Sequence, residues 1–272
     1  LAHILILSSW VAEGHVGLSA GAPVLQVLGH HVTQLPTVIL SNHLGFSIHA
    51  GGPVPVAQLD DMLVALERNG WLGRLDAVQT GYLPTPDHVD LAVRMVERLR
   101  KLSPSAPVLV DPIIGDAPEG LYVDAAAGHA LRERLLPLAD TLTPNLFELN
   151  WLTGLPTGTP TEAIAAARSL HLPRVLVTSP PLPGGQTGLI EVTPGAAMLH
   201  PAPRHPDVPS GTGDVLAALV ASGVSPGQAL GHLTTLVEAS RGLPHLDIAG
   251  SAPRWRAAAA IPGRSVEEVL GL

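Results

Sequence analysis

Short apolar runs alternate with segments of helical period along this chain, and that alternation restricts the fold more than any other feature. The runs are His3 to Leu7, Val32 to Leu40, Asp76 to Thr80, Pro107 to Val110, Thr141 to Leu142 and Val175 to Val177. Between them, Leu59/Met62/Leu63/Leu66 and Ala92/Met95/Val96/Leu99 keep the i, i+3, i+4, i+7 spacing of a helix with one buried stripe. Strands that are apolar without alternation are buried on both faces, which predicts an α/β fold of three layers, a mainly parallel sheet between helices. Thr187 to Val192 and Ala196 to His200 flank Thr193-Pro194-Gly195 and predict an antiparallel hairpin at one sheet edge. Helices over Val215 to Ser222 and Pro226 to Arg241 follow, the second with proline in its first turn. No repeat or linker divides the chain, so residues 1–272 read as one domain, with an Ala- and Pro-rich stretch from Ser251 expected to form a loosely attached tail.

Composition removes whole classes of function. Lys and Arg number 15 against 23 Asp and Glu, a formal charge of −8, with no basic run, which argues against binding nucleic acid or an anionic membrane. The chain has no Cys, so disulfides, thiolate chemistry and Cys-ligated zinc are excluded. Its single lysine, Lys101, lies in an Arg-rich helical stretch, away from any GxxxxGK[ST] phosphate loop. If phosphates are bound, something other than lysine neutralises them. No apolar run reaches the ~18 residues of a membrane span. The apolar start, Ile4 to Leu7, lacks a basic flank and meets Glu13 soon after, so it reads as a strand and the cytoplasm is the expected compartment.

In a parallel sheet, ligands collect outside the carboxyl ends of the strands. There the sequence places Ser8-Ser9, Ser41-Asn42-His43, Gly81-Tyr82, Asp111, Thr143-Pro144-Asn145 and Thr178-Ser179. Loops are polar anyway; the accumulation at one rim is the signal. The sharpest segment is Pro209-Ser210-Gly211-Thr212-Gly213-Asp214, which runs straight into an apolar helix. Two glycines there let backbone N–H groups approach a phosphate at a helix start, an anion hole without lysine, with Asp214 as a general base. The same aspartate reads equally well as a plain N-cap. Asn145-Leu146-Phe147-Glu148 likewise reads as a capping box, while Asp111, Asp116 and Glu148 together could hold a hydrated Mg²⁺ against phosphate oxygens. The histidines, His30-His31 and His200/His205 among them, lack zinc-like spacing.

In their order, Ser9 with Gly14-His15-Val16-Gly17, Ser41-Asn42-His43, Gly81-Tyr82-Leu83, Asp111-Pro112-Ile113-Ile114-Gly115-Asp116, Thr143-Pro144-Asn145-Leu146-Phe147-Glu148 and Gly211-Thr212-Gly213-Asp214 resemble the pyridoxal kinase family of the ribokinase-like superfamily. The resemblance implies ATP- and Mg²⁺-dependent phosphorylation of the 5′-hydroxymethyl group of pyridoxal, pyridoxine and pyridoxamine. It implies Asp214 as the base and Gly211, Thr212 and Gly213 as the anion hole. Ser9, Leu44 and Tyr82 would border the substrate, with Asp111, Thr143, Glu148, Thr178, Ser179 and Thr212 on the nucleotide and Asp111, Asp116 and Glu148 at the metal. Asp116 and Tyr122 would belong to a mobile loop over ATP. A homodimer and a monovalent-cation requirement are further expectations from the resemblance, the second left open.

One departure bears on the acceptor. Where the family commonly has a Thr after Ser-Asn-His, this chain has Leu44, and Phe46 stands for a frequent Tyr. Leu44 cannot hydrogen-bond, and an unreplaced partner at a buried polar edge costs about 1–3 kcal/mol. A kinase of another small hydroxymethyl compound, such as hydroxymethylpyrimidine, and a non-catalytic nucleotide- or vitamin-binding relative therefore remain as alternatives. Trp10 and Glu13, beside the expected pocket, have no explanation in the sequence.

Overall fold

The computed structural model describes residues 1–270. Its strands are β1 (His3–Val11), β2 (His31–Leu40), β3 (Gly51–Pro53), β4 (Ala77–Thr80), β5 (Val108–Val110), β6 (Gly115–Asp116), β7 (Gly120–Leu121), β8 (Thr141–Leu142), β9 (Arg174–Thr178), β10 (Thr187–Val192) and β11 (Ala197–Ala202). The helices are α1 (Leu18–Val27), α2 (Val56–Arg68), α3 (Pro86–Leu102), α4 (Ala125–Ala130), α5 (Leu146–Thr153), α6 (Pro160–Ser169), α7 (Thr212–Ala221), α8 (Pro226–Ser240), α9 (Ala252–Trp255) and α10 (Val266–Leu270).

Among the described residues, a nine-stranded sheet runs in the order β11-β10-β9-β8-β5-β4-β1-β2-β3. The pairs from β9 through β2 are parallel, while β10, β11 and, at the opposite edge, β3 are antiparallel. Strand β1 shows why an unbroken apolar run predicted this architecture. Leu5 and Leu7 enter the core cluster under α2 to α6, and their neighbours Ile4 and Ile6 enter the cluster beneath α1, α7 and α8. Successive side chains alternate between faces, so a strand covered on both must be apolar at every position.

The hairpin closes as expected, with Thr193 N–H donating to Ala196 O at 2.9 Å. The short β3 was not expected, since Gly51-Gly52-Pro53 carries no strand signal and is recruited by its pairing with Val38–Leu40.

The stretch from Ser251 corrects the expectation of a loose tail. Trp255 is fully buried and its indole N–H donates to Ile248 O at 2.8 Å. His232 of α8 bonds Trp255 O through Nδ1 at 2.6 Å, and Gln228 donates to Ala258 O at 2.8 Å. Gly227 and Gly231 leave room for this segment: a β-carbon on either would collide with the carbonyl oxygen of Ile261 or Ala259. Counting Ala and Pro suggested a tail, yet one aromatic anchor and two small helix residues dock it. The last two residues of that expected tail, 271–272, lie outside the described ones.

Candidate active site

The sheet order sets the position of the site. β1 pairs with β2 on one side and with β4 on the other, so the chain leaves β1 in opposite directions and opens a crevice at the carboxyl ends of these strands. A cavity of about 960 Å³ lies there, with the start of α7 in its wall.

Ser8 and Ser9, alike in sequence, separate here. The β1–β2 register shifts between Ser8 and Trp10, a bulge that redirects the intervening side chain. Ser9 lines the cavity, while buried Ser8 accepts the Tyr82 N–H through Oγ at 3.1 Å. Tyr82 also lines the cavity, and its carbonyl accepts the Thr37 hydroxyl at 2.6 Å. Leu44 and Phe46, about half exposed, stand in the same wall with Val11, Val38 and Leu40. His43 of the Ser41-Asn42-His43 strand end is in the wall too, whereas the two valines were not singled out from the sequence; their only signal was adjacency to the strand ends. His43 Nδ1 accepts the Gly45 N–H at 3.2 Å, and burial lowers its pKa. Trp10 stays partly exposed, and exposed Glu13 lies 3.7 Å from His245.

At the start of α7 the N-cap is Gly211, with φ 101° and no side-chain cap, so Asp214 is not the N-cap. Asp214 sits one turn further on, and its carboxylate accepts its own N–H and that of Gly17. Burial pushes this carboxyl up to about 6 against the pull of those two bonds. Gly211, Thr212, Gly213 and Asp214 all border the cavity, so the uncapped amides of a helix start share it with a buried carboxyl group.

Opposite stand the carboxylates of the β5 and β8 ends. Asp111 is buried, accepts the Thr143 hydroxyl at 3.0 Å, and is held well above the usual carboxylate range by burial, then by Glu148 and Asp214. Glu148 completes the capping box with Asn145: Oε2 accepts Asn145 N–H at 2.9 Å while Asn145 Oδ1 accepts Glu148 N–H at 2.8 Å. Its other oxygen accepts Ile114 N–H at 2.9 Å, and burial pushes the group up to about 7. Oε1 of Glu148 thus holds the backbone that leads into β6, and Oε2 holds the start of α5. Asp116 accepts Ala117 N–H at 2.8 Å, and the Tyr122 phenol is pushed up to about 12 by burial and by neighbouring carboxylates.

Two expectations change. Thr178 lines the cavity but Ser179 does not; its N–H turns back to Gly188 O at 3.1 Å. Among the described residues, no three Asp, Glu, His or Cys side chains form a group able to hold a metal, so Asp111, Asp116 and Glu148 are not a ready-made cage. Each Glu148 oxygen is already turned to a main-chain N–H group. The cavity wall carries Asp111, Asp116, Glu119, Glu148 and Asp214 and, among the described residues, no Lys or Arg. A polyphosphate entering it needs cations and backbone amides.

The model of the family described as phosphomethylpyrimidine kinase matches residues 47–239. The pyridoxal kinase PdxY of Corynebacterium diphtheriae is 38% identical over 223 residues, 80% of this chain and 79% of that protein. A pyridoxine/pyridoxal/pyridoxamine kinase of Bordetella avium is 39% identical over 221 residues, 79% of this chain and 75% of that one. Among solved structures, pyridoxal kinase from Entamoeba histolytica superposes with a TM-score of 0.89 at 26% identity, covering 97% of this chain and 99% of its own. The Leishmania donovani pyridoxal kinase in complex with ADP and pyridoxamine gives 0.88 at 28% identity, with 96% and 97% covered.

Proposed function

The chain belongs to the pyridoxal kinase family, and on that premise we propose that it transfers the γ-phosphoryl group of ATP to the 5′-hydroxymethyl oxygen of pyridoxal, pyridoxine and pyridoxamine. The observation that carries this reading is Asp214, poised beside the uncapped amides of Gly211 to Gly213 in one cavity. The acceptor hydroxyl gives its proton to the Asp214 carboxylate as its oxygen bonds the γ-phosphorus, and the bond to the ADP oxygen breaks. Charge building on the transferring group meets the helix-start amides, which need no reorganisation and supply what lysine supplies elsewhere. Ser9, Leu44 and Tyr82 border the acceptor ring; Thr143, Thr178 and Tyr122 border the nucleotide.

The residues fit a divalent cation. Asp111 is buried against two other carboxylates, and Asp111, Glu148 and Asp214 form no salt bridge among the described residues. Mg²⁺ takes one or two carboxylates and keeps water and phosphate oxygens as its other ligands; when bound it supplies charge neutralisation on the phosphates. Asp111 would hold it, with Asp116 of β6, while Glu148 keeps its bonds to the backbone. A homodimer and a cytoplasmic setting belong to the same proposal and rest on kinship alone. Among the described residues, no helix is long and apolar enough to cross a membrane.

A second acceptor has its own support. The matching family model is described by phosphomethylpyrimidine, and Leu44 and Phe46 make the acceptor wall apolar. Purified protein with MgATP and either pyridoxal or hydroxymethylpyrimidine, assayed for phosphorylated product, decides between them. Pyridoxal turnover with the higher kcat/KM is the expected result; preference for the pyrimidine overturns the first reading, and no ATP-dependent product with any acceptor overturns both.

A further inference from the structure

The β6–β7 flap forms a two-stranded sheet of its own, apart from the main sheet. Its root is built on the nucleotide side: Asn145 Nδ2 donates to Gly115 O at 2.9 Å, Glu148 receives Ile114 N–H, and Tyr122 N–H donates to Ile114 O at 2.8 Å. Its turn, residues 117–119, is exposed, and Leu121 and Tyr122 at its root are exposed as well. Strands of two residues with exposed hydrogen bonds lie at the labile end of a protein's local stability range.

From the acceptor wall, the Tyr82 phenol O–H donates to the Tyr122 carbonyl at 3.3 Å. Among the described residues this is the hydrogen bond that ties the flap to that wall. The donor has a rigid foundation. Gly81 N–H donates to Leu7 O at 2.8 Å, Tyr82 N–H to Ser8 Oγ, and Thr37 Oγ1 to Tyr82 O, which joins β1, β2 and β4 beneath one side chain. Tyr82 borders the cavity, and its hydroxyl reaches the root of the flap.

We propose that Tyr82 is a positioning residue whose hydroxyl pins the β6–β7 flap, so that a ring packed against the phenol on the acceptor side steadies the wall over the nucleotide. This deepens the proposed function and rests on its placing of the nucleotide beneath the flap. Coupling of this kind is reciprocal: what the acceptor adds to flap order, an ordered flap returns as acceptor affinity.

The test is hydrogen exchange of the protein–ADP complex, with and without pyridoxal, for the wild type and Tyr82→Phe, which keeps the ring and removes only the hydroxyl. Losing one hydrogen bond predicts flap amides between residues 116 and 122 that exchange about fivefold faster in the variant, with the sheet amides unchanged. Pyridoxal slows flap exchange in the wild type and does so less in the variant. In steady state the KM for ATP rises about fivefold, by a larger factor than the KM for pyridoxal. Equal flap exchange in the two ADP complexes overturns the proposal, as does a variant whose only defect is in the pyridoxal KM. The ADP arm needs no acceptor turnover, so failure of the wild type to phosphorylate pyridoxal counts against the acceptor reading alone.

Discussion

The carbonyl oxygen of His15 occupies the place where a β-carbon on Gly211 would stand. The two bends, Gly14 to Gly17 after β1 and Ser210 to Asp214 at the start of α7, are therefore keyed together main chain to main chain. The same first bend sends the Gly17 N–H to the Asp214 carboxylate. Gly17 is itself confined by Ser9, whose Oγ and carbonyl a β-carbon would strike, and its φ of 54° favours glycine.

Gly211→Ala should consequently displace the anion hole rather than merely fill space. With φ at 101°, alanine there is strained as well as obstructed, at a cost of about 1–3 kcal/mol. Chemical denaturation should read that loss, and kcat should fall about 10²-fold because amides aimed at a transition state tolerate little misplacement.

Asp214→Asn separates catalysis from stability. A general base contributes about 10²–10⁴-fold, so kcat should drop within that range while ADP binding, read by calorimetry, stays near that of the wild type. Burial raises the carboxyl above its unfolded value, so the native state holds the proton more tightly and ionisation costs stability as pH rises towards about 6. Above that pH the cost is complete. Asparagine avoids it, so the Tm of the variant should exceed that of the wild type at about pH 8, with the difference shrinking at about pH 4.

The rate should follow the same titration with the opposite benefit. Only ionised Asp214 accepts a proton, so kcat/KM for the acceptor should fall as pH drops through about 6. An aspartate in water would place that limb near about 3.9. A pH–rate profile with no acid limb between these values removes Asp214 from the role of base.

Leu44→Thr should restore a hydroxyl to the acceptor wall. If pyridoxal is the substrate, its KM should fall about fivefold, the worth of one added hydrogen bond. Unchanged kinetics would mean that no polar edge of the acceptor faces this position.

Trp255→Ala should destabilise the whole domain. The indole is fully buried, so its removal costs about 3–5 kcal/mol of unfolding free energy. Urea titration should give a single transition at lower midpoint; a wild-type midpoint would mean that this segment folds apart from the core.

The residues that line the cavity were largely legible because strand ends are marked by where apolar runs stop: Ser9, Tyr82, Asp111, Thr143 and Thr178 follow such stops, and Asp214 precedes an apolar helix behind two glycines. Glu148 was legible only in part. Its capping box is a local pattern, whereas the Ile114 N–H that takes its second oxygen lies 34 residues away. Ser179, one residue beyond the strand end, does not line the cavity, because past the end of β9 the chain turns back, its N–H bonding Gly188 O. The segment from Ser251 misled because composition weighs residues equally and a single buried Trp255 outweighs its alanines.

Apolar periodicity, a property of neighbours in the chain, determined by itself that strands are sandwiched between helices and that glycines precede an apolar helix with an aspartate in its first turn. Contacts between distant segments decided the rest. Among them are the order that puts β1 between β2 and β4, the bulge that turns Ser9 inwards, and the Gly17 amide on Asp214. Hydrogen bonds and excluded volume act over a few ångströms in space regardless of separation in sequence, so those choices exist only once the chain has closed on itself.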